Sequence, residues 1–473
     1  MTAARAALLI DFGSTYTKLR AVDLDARRLL GSGQGPSTVT TDIMQGLHAA
    51  LADLDARLGG LPKFAYRLAS SSAAGGLRMV TVGLVRELTA EAARRAALGA
   101  GAKLVGTFAY RLTNADVRHI AELRPDIVLL AGGTDGGNSA VVIDNARALG
   151  ASTIACPVVY AGNRAAADEA CSLLAGKHVI VTDNVMPEFN ALDIEPARAA
   201  IRRVFIDRIV HAKGIDRAQS EVDAVLMPTP VAVMEGARLL ADGYGAMRGL
   251  GELLVVDPGG ATTDVHTVAT GAPRDGVVPQ GLPEPRVKRT VEGDLGMRHN
   301  AATIAEVAGI ERLAAHASLA KERVLAILDG IALDVERLPQ SADEIAVDHA
   351  LACHAVDIAV TRHCGTVETA FTPTGPVTVQ HGKDLSGLAT VIGTGGAIAA
   401  ARDPASILRA TLADPSRPFA LKPRAPRLLL DRDYLLYACG LLATAEPQAA
   451  LELALTHLEP LAEEHAHERA QSA

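Results

Sequence analysis

The chain has 473 residues, too many for one ordinary hydrophobic core, so more than one domain is expected. Its 46 basic and 54 acidic residues give a formal net charge of −8, and aromatic residues are only 3% with no Trp, so no nucleic-acid partner is expected. Hydrophobic residues reach 49%, yet no apolar run has the roughly 18 residues that a membrane span needs.

The five cysteines are odd in number and scattered, and no two form a C-x-x-C pair. Neither a disulfide framework nor a zinc site is therefore expected, whereas buried free thiols in a reducing compartment are. The apolar N-terminal stretch runs directly into a glycine turn, which removal of a signal peptide would destroy. We therefore expect a cytoplasmic protein.

The first half of the chain alternates between strand and helix patterns, which is typical of an α/β fold. The predicted elements cover residues 7–40 (hairpin or meander), 42–58 (helix), 66–71 (strand), 88–98 (helix), 126–131 (strand), 154–160 (strand), 178–182 (strand), 195–212 (helix) and 228–240 (helix).

The second half opens with another hairpin pattern at 253–268 and becomes mainly helical over 301–338. Residues 391–397 predict a strand, a glycine turn and the start of a helix. The segment 403–432 is rich in proline and arginine and predicts a surface loop, and a helical tail begins at Tyr434.

Two stretches about half the chain apart place an Asp at the end of an apolar strand, followed by small and hydroxyl residues. They contain Asp11, Gly13, Ser14, Thr15 and Tyr16 in the first and Asp257, Gly259, Gly260, Ala261 and Thr262 in the second. A glycine-rich turn lets backbone N–H groups face an anion, and a following hydroxyl adds a donor. We predict that each turn clamps one phosphate of a nucleotide.

Asp11 and Asp257 would then project towards the phosphates. Because like charges repel, these carboxylates make sense only with Mg²⁺ between them and the phosphates, usually through its water molecules, or as a base that orients the attacking water. A third turn, Gly393-Thr394-Gly395-Gly396, would let the base or ribose lie against the backbone. The chain has neither the Walker A nor the Rossmann glycine pattern, so the commonest rival nucleotide folds are excluded.

The two halves also echo each other. The turn at Asp11 is followed by a strand and glycines at 129–133, and the turn at Asp257 is followed at a similar interval by those at 391–396. This repeat predicts a duplicated α/β domain.

The three glycine turns resemble the phosphate-one, phosphate-two and adenosine motifs of the actin, heat-shock chaperone and sugar kinase superfamily. Residues 228–232 resemble the first connecting helix of that superfamily. Over nearly the whole chain the sequence is similar to one branch, the glutamate mutase accessory proteins called MutL or GlmL. The stretches that carry this likeness are Leu129–Asn138, Tyr160–Arg164, Asn184–Glu188 and Val291–Arg298.

The resemblance implies a duplicated actin-like (ribonuclease H-like) α/β ATPase fold with two lobes around a nucleotide cleft. We expect an N-terminal lobe at residues 1–245, a C-terminal lobe at 246–433 and a helical tail at 434–473. Asp11 and Asp257 would be the catalytic residues and would hold the Mg²⁺ of ATP through water. Pro258 departs from the branch, where an aliphatic residue is usual, and it deletes a strand N–H, so the second hairpin is expected to be strained or edge-like.

The function that the resemblance implies is an ATP-dependent accessory or reactivating protein for an adenosylcobalamin-dependent mutase, with glutamate (methylaspartate) mutase subunits as the partner. The alternative is a small-molecule kinase on the same fold, in which Asp257 would be the base, although no polar sugar-binding cluster is apparent. A non-enzymatic structural or filament protein is disfavoured by the nucleotide motifs. The sequence leaves the oligomeric state open.

Several polar features are expected to be structural. His266 lies in a D-x-H stretch that resembles the start of a cobalamin-binding signature, but Ala269 occupies the signature's next glycine position, so His266 is not expected to bind cobalamin. Cys353, His354, His363 and Cys364 lie in a helical pattern, and ordinary helix packing is expected for them.

Two stretches of the family likeness leave alternatives open. The turn at 132–138 is interpreted as a tight strand-to-helix connection, with a partner-binding loop as the alternative. Asp294 and Arg298 either line the cleft or cap a helix.

Overall fold

The structure is a computed structural model that describes residues 5–13, 16–38, 42–71, 77–212, 222–373 and 375–461. The strands in these ranges are β1 (Ala6–Phe12), β2 (Tyr16–Asp23), β3 (Arg28–Pro36), β4 (Phe64–Ser71), β5 (Arg78–Gly83), β6 (Lys103–Ala109), β7 (Ile127–Leu130), β8 (Val158–Tyr160), β9 (Val179–Val181), β10 (Ala224–Pro228), β11 (Gly243–Tyr244), β12 (Met247–Arg248), β13 (Leu253–Pro258), β14 (Thr263–Val268), β15 (Val277–Gln280), β16 (Val287–Glu292), β17 (Thr366–Thr372), β18 (Gly375–His381), β19 (Thr390–Gly393), β20 (Arg427–Leu430) and β21 (Glu459–Pro460).

The α-helices in the same ranges are α1 (Ile43–Leu58), α2 (Glu91–Gly99), α3 (Asn114–Glu122), α4 (Ala140–Gly150), α5 (Ala167–Leu173), α6 (Glu195–Ala212), α7 (Thr229–Asp242), α8 (Ala301–Ala308), α9 (Ile310–Ala317), α10 (Lys321–Leu333), α11 (Ala342–His363), α12 (Gly396–Ala399), α13 (Pro404–Arg409), α14 (Leu436–Leu442) and α15 (Pro447–His457). None of these helices combines the length and the apolar character that a membrane span requires.

The first sheet has the strand order β3–β2–β1–β4–β10. The strands β3, β2 and β1 are antiparallel neighbours, whereas β1, β4 and β10 run parallel. Every residue of β1 is buried, because helices cover both faces of the sheet. Side chains alternate along a strand, so Leu8 and Ile10 pack into one apolar cluster while Ala7 and Leu9 pack into another.

The second sheet repeats this order and these directions as β16–β14–β13–β19–β20, with β21 added at the edge. The strands β16, β14 and β13 are antiparallel neighbours, and β13, β19 and β20 are parallel. Val255 of β13 belongs to the same apolar cluster as Leu9 of β1, so one core joins the two sheets. The chain therefore has a duplicated, two-lobed actin-like α/β fold.

The duplication is present, but the echo that suggested it paired the wrong strands. The glycine turn at 393–396 follows β19, which lies parallel to β13. The strand beside β1 that corresponds to β19 is β4, whereas residues 129–133 comprise the end of β7 and the turn after it, in a different sheet. The prediction failed because any parallel strand that leads into a helix has this local pattern, and the pattern carries no information about the neighbouring strand.

A third sheet lies between β4 and β10 in the sequence and has the order β6–β5–β7–β8–β9. All of its strands are parallel. This 2-1-3-4-5 order is that of a doubly wound α/β sheet. The sequence predicted β7, β8 and β9, but it did not predict β5 or β6, and it did not indicate that these strands form a separate sheet inserted into the first lobe.

The segment 403–432, predicted as a surface loop, contains regular structure. It holds α13 and the strand β20, which is parallel to β19. The strand β20 is only four residues long, with an apolar run of three leucines, and it follows Pro423 and Pro426, which obscured it. The tail does contain helices, α14 and α15, and they pack in the apolar core that joins the two sheets.

Helices α7 and α14 hold equivalent positions, because each follows the outer parallel strand of its sheet. They cross at two glycines. A Cβ atom on Gly440 would lie 1.8 Å from the carbonyl oxygen of Ala232, and one on Gly236 would lie 2.3 Å from that of Leu436. The backbones of the two lobes therefore touch at this crossing with no side chain between them.

We expect Gly440→Ala to lower the free energy of unfolding by roughly 1–3 kcal/mol, the usual range for overpacking a core. Urea unfolding followed by circular dichroism measures the change. Gly330→Ala in α10 is the control, because its new Cβ would meet no atom within 4 Å, and it should stabilise by up to about 1 kcal/mol. A Gly440→Ala protein as stable as the parent would contradict the close crossing.

Candidate functional site

The two predicted phosphate turns close in the same way. The N–H of Gly13 donates to the carbonyl of Tyr16 at 3.0 Å, and the N–H of Gly259 donates to the carbonyl of Thr262 at 2.8 Å. Each turn connects the central strand of its sheet to an antiparallel neighbour. The two turns are therefore structural equivalents, as the duplicated sheets require.

The remaining residues of these turns differ in how much the structure describes. Ser14 and Thr15 lie outside the described residues, so their contacts with a phosphate stay predictions. Tyr16 is 45% exposed. Gly260 and Ala261 are exposed at the tip of the second turn, where a ligand can reach their backbone.

Pro258 is the last residue of β13. It pairs with Thr263 of β14, but the pairing of β13 with β19 ends at Val256. The missing N–H of Pro258 therefore removes no hydrogen bond on the β19 side, which makes this end of the strand edge-like.

The residues opposite the two aspartates differ in charge. Asp11 faces Lys18 across β1 and β2, whereas Asp257 faces Asp264 across β13 and β14. The carboxylate of Asp264 is itself paired, because the guanidinium of Arg289 lies 2.6 Å from it. The two hairpins thus share a backbone geometry but offer the cleft different charges.

Asp11 is only 2% exposed. Thr229, the first residue of α7, donates a hydrogen bond to its Oδ1 at 2.6 Å. Desolvation raises the pKa of Asp11, and the charge of Lys18 together with the Thr229 hydrogen bond opposes the rise. The first aspartate is therefore a fixed and poorly hydrated carboxylate.

Asp257 has the more strongly perturbed carboxylate. Desolvation raises its pKa to about 7, and the negative charge of Asp264 contributes next. Lys18 opposes the rise, while Asp431 and Asp11 add to it. Because Lys18 lowers the pKa of Asp11 and that of Asp257, both carboxylates lie near the same cation.

The predicted adenosine turn lies against the second phosphate turn. Gly395 has φ +87°, and a Cβ atom there would lie 2.0 Å from Oδ1 of Asp257. The N–H of Thr394 donates to a carbonyl of β13 at 3.0 Å. Gly393 ends β19, and Gly396 begins α12. Glycine at position 395 is therefore what allows the third motif to approach the second so closely.

Sequence reasoning missed Asp431, which follows β20. Its carboxylate accepts hydrogen bonds from Oγ1 of Thr394 at 2.8 Å and from the N–H groups of Leu435 and Leu436 at 2.7 and 3.0 Å. Desolvation raises its pKa. An apolar strand that ends in an aspartate is the pattern already recognised at Asp11, and it marks this residue too.

Sequence reasoning also missed Lys18. Its Nζ lies 4.1 Å from the centre of the Tyr434 ring. Burial raises the pKa of Tyr434 well above its usual value, and the charges of Asp11 and Asp257 add to the rise, so this ring also borders the aspartates. The signal was available, because residue 18 lies directly across the hairpin from Asp11.

The stretch Val291–Arg298 supports the second phosphate turn. The N–H of Arg298 donates to the carbonyl of Gly260 at 2.9 Å, and that of Met297 donates to the carbonyl of Gly259 at 3.0 Å. These hydrogen bonds engage the carbonyl groups of the turn and fix its position.

All three charged residues of this stretch bind helix α11, Glu292 through Arg362 at 2.8 Å. Asp294 pairs with Arg362 at 2.8 Å, and Arg298 pairs with Asp348. The side chain of Arg298 also lies 3.6 Å from the Cβ position of Gly260, beside the second turn. Arg298 therefore borders the site, whereas Asp294 serves the helix contact.

His266 is 1% exposed within β14, and burial lowers its pKa to about 4. A side chain so enclosed offers no face to a corrin ring. His363 lies between Oγ1 of Thr267 at 3.0 Å and Oγ1 of Thr290 at 2.8 Å. Cys364 donates to the carbonyl of Thr361 at 3.4 Å. These contacts are structural.

Three stretches of the family likeness meet at the carboxyl edge of the inserted sheet, since they follow β7, β8 and β9. Nδ2 of Asn163 donates to the carbonyl of Gly137 at 3.0 Å. Nδ2 of Asn184 donates to the carbonyl of Gly133 at 2.9 Å and to Oδ1 of Asp135 at 3.0 Å. These two asparagines hold the turn at 132–138 in place, which supports its interpretation as a structural connection.

Arg289 also joins the second lobe to the inserted sheet. Besides Asp264, it binds the carbonyl of Leu98 in α2, with an Nη1–oxygen distance of 3.1 Å. Arg95 of the same helix pairs with Glu284 at 2.8 Å. A single guanidinium thus connects the residue opposite Asp257 to the helix between β5 and β6.

The sequence profile of the family described as MutL protein matches residues 7–458. Protein MutL from Clostridium tetanomorphum is 45% identical over 455 residues, which are 95% of this chain and 98% of that protein.

Two solved structures are similar at low identity. Acetone carboxylase in a nucleotide-free state is 15% identical, with a TM-score of 0.43 over 93% of this chain and 70% of that one. Gluconate kinase from Lactobacillus acidophilus is 10% identical, with a TM-score of 0.36 over 97% of this chain and 93% of that one. Both TM-scores lie below 0.5, so the fold assignment rests on the sheet topology.

The family match spans nearly the whole chain, and the clostridial relative covers it at 45% identity. The chain therefore belongs to the MutL protein family.

Proposed function

We propose that the protein binds Mg²⁺–ATP in the cleft between its two sheets and hydrolyses it. Two observations carry the proposal: Gly395 lies directly against the carboxylate of Asp257, and the charge of Lys18 lowers the pKa of both Asp11 and Asp257. A divalent cation fits this donor set, because the poorly solvated carboxylates outnumber the one lysine that lowers the pKa of both aspartates. Hard oxygen ligands are those that Mg²⁺ prefers.

Asp11 and Asp257 would hold the ion through its water molecules, and the ion would supply positive charge to the phosphates. The exposed backbone at Gly260 and Ala261 would orient one phosphate, as glycine turns do. With a pKa of about 7, Asp257 is poised near neutral pH to accept a proton from the attacking water. A small-molecule kinase would use the same carboxylate on an acceptor hydroxyl, and product analysis separates the two activities.

The second part of the proposal is that nucleotide state controls binding to an adenosylcobalamin-dependent mutase, with glutamate (methylaspartate) mutase as the first candidate. Such a mutase makes radicals, sometimes loses its adenosyl group and then holds inactive cobalamin. Exchange of a buried cofactor requires the mutase to open. A two-lobed clamp drives such opening if its two nucleotide states differ in affinity for the mutase.

Family membership supports this partner, and the structure offers a route for the coupling. Arg289 binds Asp264, the residue opposite Asp257, and also the carbonyl of Leu98 in the inserted sheet's first helix. A change of charge at the γ-phosphate would therefore alter the contact between Arg289 and α2. The inserted sheet is the part of the first lobe that the second lobe lacks, so it is the natural place for a contact specific to this family.

We expect Asp257→Asn to lower the ATP hydrolysis rate by roughly 10² or more, the usual scale for loss of a general base. Phosphate release under saturating Mg²⁺–ATP measures it, and the exposed Asp275→Asn is the control that should leave turnover unchanged. Unchanged turnover in Asp257→Asn would refute the assignment. Phosphate transferred to a small acceptor instead of water would favour the kinase.

The same variant distinguishes lost chemistry from lost folding. The folded pKa of Asp257 lies above its unfolded value, so ionisation of this group destabilises the folded protein progressively as pH rises from about 4 to about 7. Asp257→Asn should therefore raise the Tm of the nucleotide-free protein more at pH 8 than at pH 5. A uniform fall in Tm would mean that the carboxylate is needed for folding.

The pH profile of kcat/KM should fall below about pH 7, because the protonated form of Asp257 cannot accept a proton. Asp264→Asn removes the largest charge that raises this pKa, so the acid limb of the profile should move to lower pH. Asp275→Asn should leave the limb in place. An acid limb that stays fixed or moves upward in Asp264→Asn would contradict the proposed base.

An inactivated mutase should recover when this protein, ATP, Mg²⁺ and fresh adenosylcobalamin are supplied together, because ATP is needed to switch the clamp between states. Mutase turnover measures recovery, and Asp257→Asn should not rescue it. Equal rescue with ADP or without nucleotide would show that the protein binds the mutase without an ATP-driven cycle. ATP hydrolysis with no rescue of any mutase tested would leave the ATPase standing and reject this partner.

A further inference from the structure

Helices α9 and α11 bring together histidine and cysteine side chains, the residue types that bind borderline metals such as Zn²⁺ in proteins. His316 lies in the last turn of α9, and His349 and Cys353 lie one turn apart on α11. One ligand atom from each of these three residues lies within 4.8 Å of the others. Residues four positions apart share a helix face, so His349 and Cys353 present their ligands in the same direction.

The spacing matches two ligands of one tetrahedral ion. Sγ of Cys353 lies 3.6 Å from Nε2 of His349. With Zn–S of about 2.3 Å and Zn–N of about 2.0–2.1 Å, tetrahedral ligands stand about 3.6 Å apart. Oγ of Ser406 lies 2.6 Å from the same Nε2 and 4.0 Å from Sγ, so an oxygen stands beside both ligands.

The imidazoles around this pair are edge to face. The rings of His316 and His349 have centroids 6.0 Å apart and an interplanar angle of 89°. On the other side of His316, the ring of His354 lies at 5.3 Å and 80°. Nε2 of His354 is buried and has no hydrogen-bond partner among the described residues. Packing alone leaves this nitrogen unsatisfied, whereas a nearby ion with bound water would supply a partner.

We propose that His316, His349 and Cys353 bind a borderline divalent cation such as Zn²⁺, with a water molecule completing the tetrahedron. Two imidazoles and one thiolate suit Zn²⁺ and do not suit Mg²⁺, so this site is chemically distinct from the nucleotide site. The thiol of Cys353 releases its proton to solvent when the ion binds. The ion would tie α9 to α11 in the second lobe.

The scattered cysteines argued against a zinc site because such sites commonly begin with a C-x-x-C pair. Here the structure takes two ligands from one helix face and a third from another helix, a combination that the linear spacing does not reveal. The predicted helix packing of Cys353 is present, and the metal-type cluster lies within it.

Cobalt is the probe. The full-length protein is stripped with a chelator, freed of nucleotide and titrated with Co²⁺ and then with Zn²⁺. We expect one ion per chain, a thiolate-to-cobalt charge-transfer band in the near ultraviolet, the visible bands of tetrahedral cobalt, and displacement of all of them by Zn²⁺. Binding without the charge-transfer band would overturn the proposal.

Three variants identify the ligands. Cys353→Ser should abolish the charge-transfer band, and His316→Gln should weaken binding at least about tenfold, since even the loss of an indirect partner costs that much. His316 is exposed, so its replacement keeps the test valid if Cys353→Ser fails to fold. Cys364→Ala, a buried thiol directly after the same helix, should keep the band. A band that survives in Cys353→Ser, or undiminished affinity in His316→Gln, would sink the site.

Discussion

The proposed site depends on bringing Asp11, Asp257 and Asp431 together at the carboxyl ends of their strands, where Lys18 is the cation that lowers the pKa of both Asp11 and Asp257. Moving carboxylates out of water is unfavourable unless they are paired, and the raised pKa values record that cost. The groups stay in place because Asp11 and Asp257 lie near the ends of β1 and β13 and Asp431 follows β20, and each of these strands pairs with a neighbour on both sides. The protein therefore holds a charge arrangement that a bound cation would relieve.

The duplicated fold positions one aspartate in each lobe with the same strand and turn, yet the two lobes differ in the charges around these aspartates. The hairpins share their closing hydrogen bond and the position of their aspartates, but the residue across the hairpin is Lys18 in one and Asp264 in the other. The carboxylate of Asp264 accepts a hydrogen bond from the buried guanidinium of Arg289. In the first lobe the cation opposite the aspartate is Lys18. In the second lobe the opposite residue is Asp264, which pairs with Arg289, and Arg289 also binds helix α2 beside the inserted sheet.

Local patterns predicted Asp11, Asp257 and the turn at 393–396, because a strand that ends in a polar turn is visible in the sequence. They did not predict which strands pair, because every parallel strand has the same pattern of apolar residues. The sequence repeat therefore equated β7 with β19, although the two strands hold different positions in different sheets. Asp431 was missed because its four-residue strand follows prolines. The cluster at Cys353 was missed because its ligands come from two helices.

The glycine crossing of α7 and α14 constrains how the lobes can move. Helices that meet through side-chain ridges can slide by exchanging one groove for the next. Backbones in contact at Gly236 and Gly440 have no ridges there to exchange. Relative motion that keeps this contact is a rotation about a fixed pivot, so displacement grows with distance from it. A small closure of the lobes would then be amplified at the parts of the molecule farthest from the two glycines.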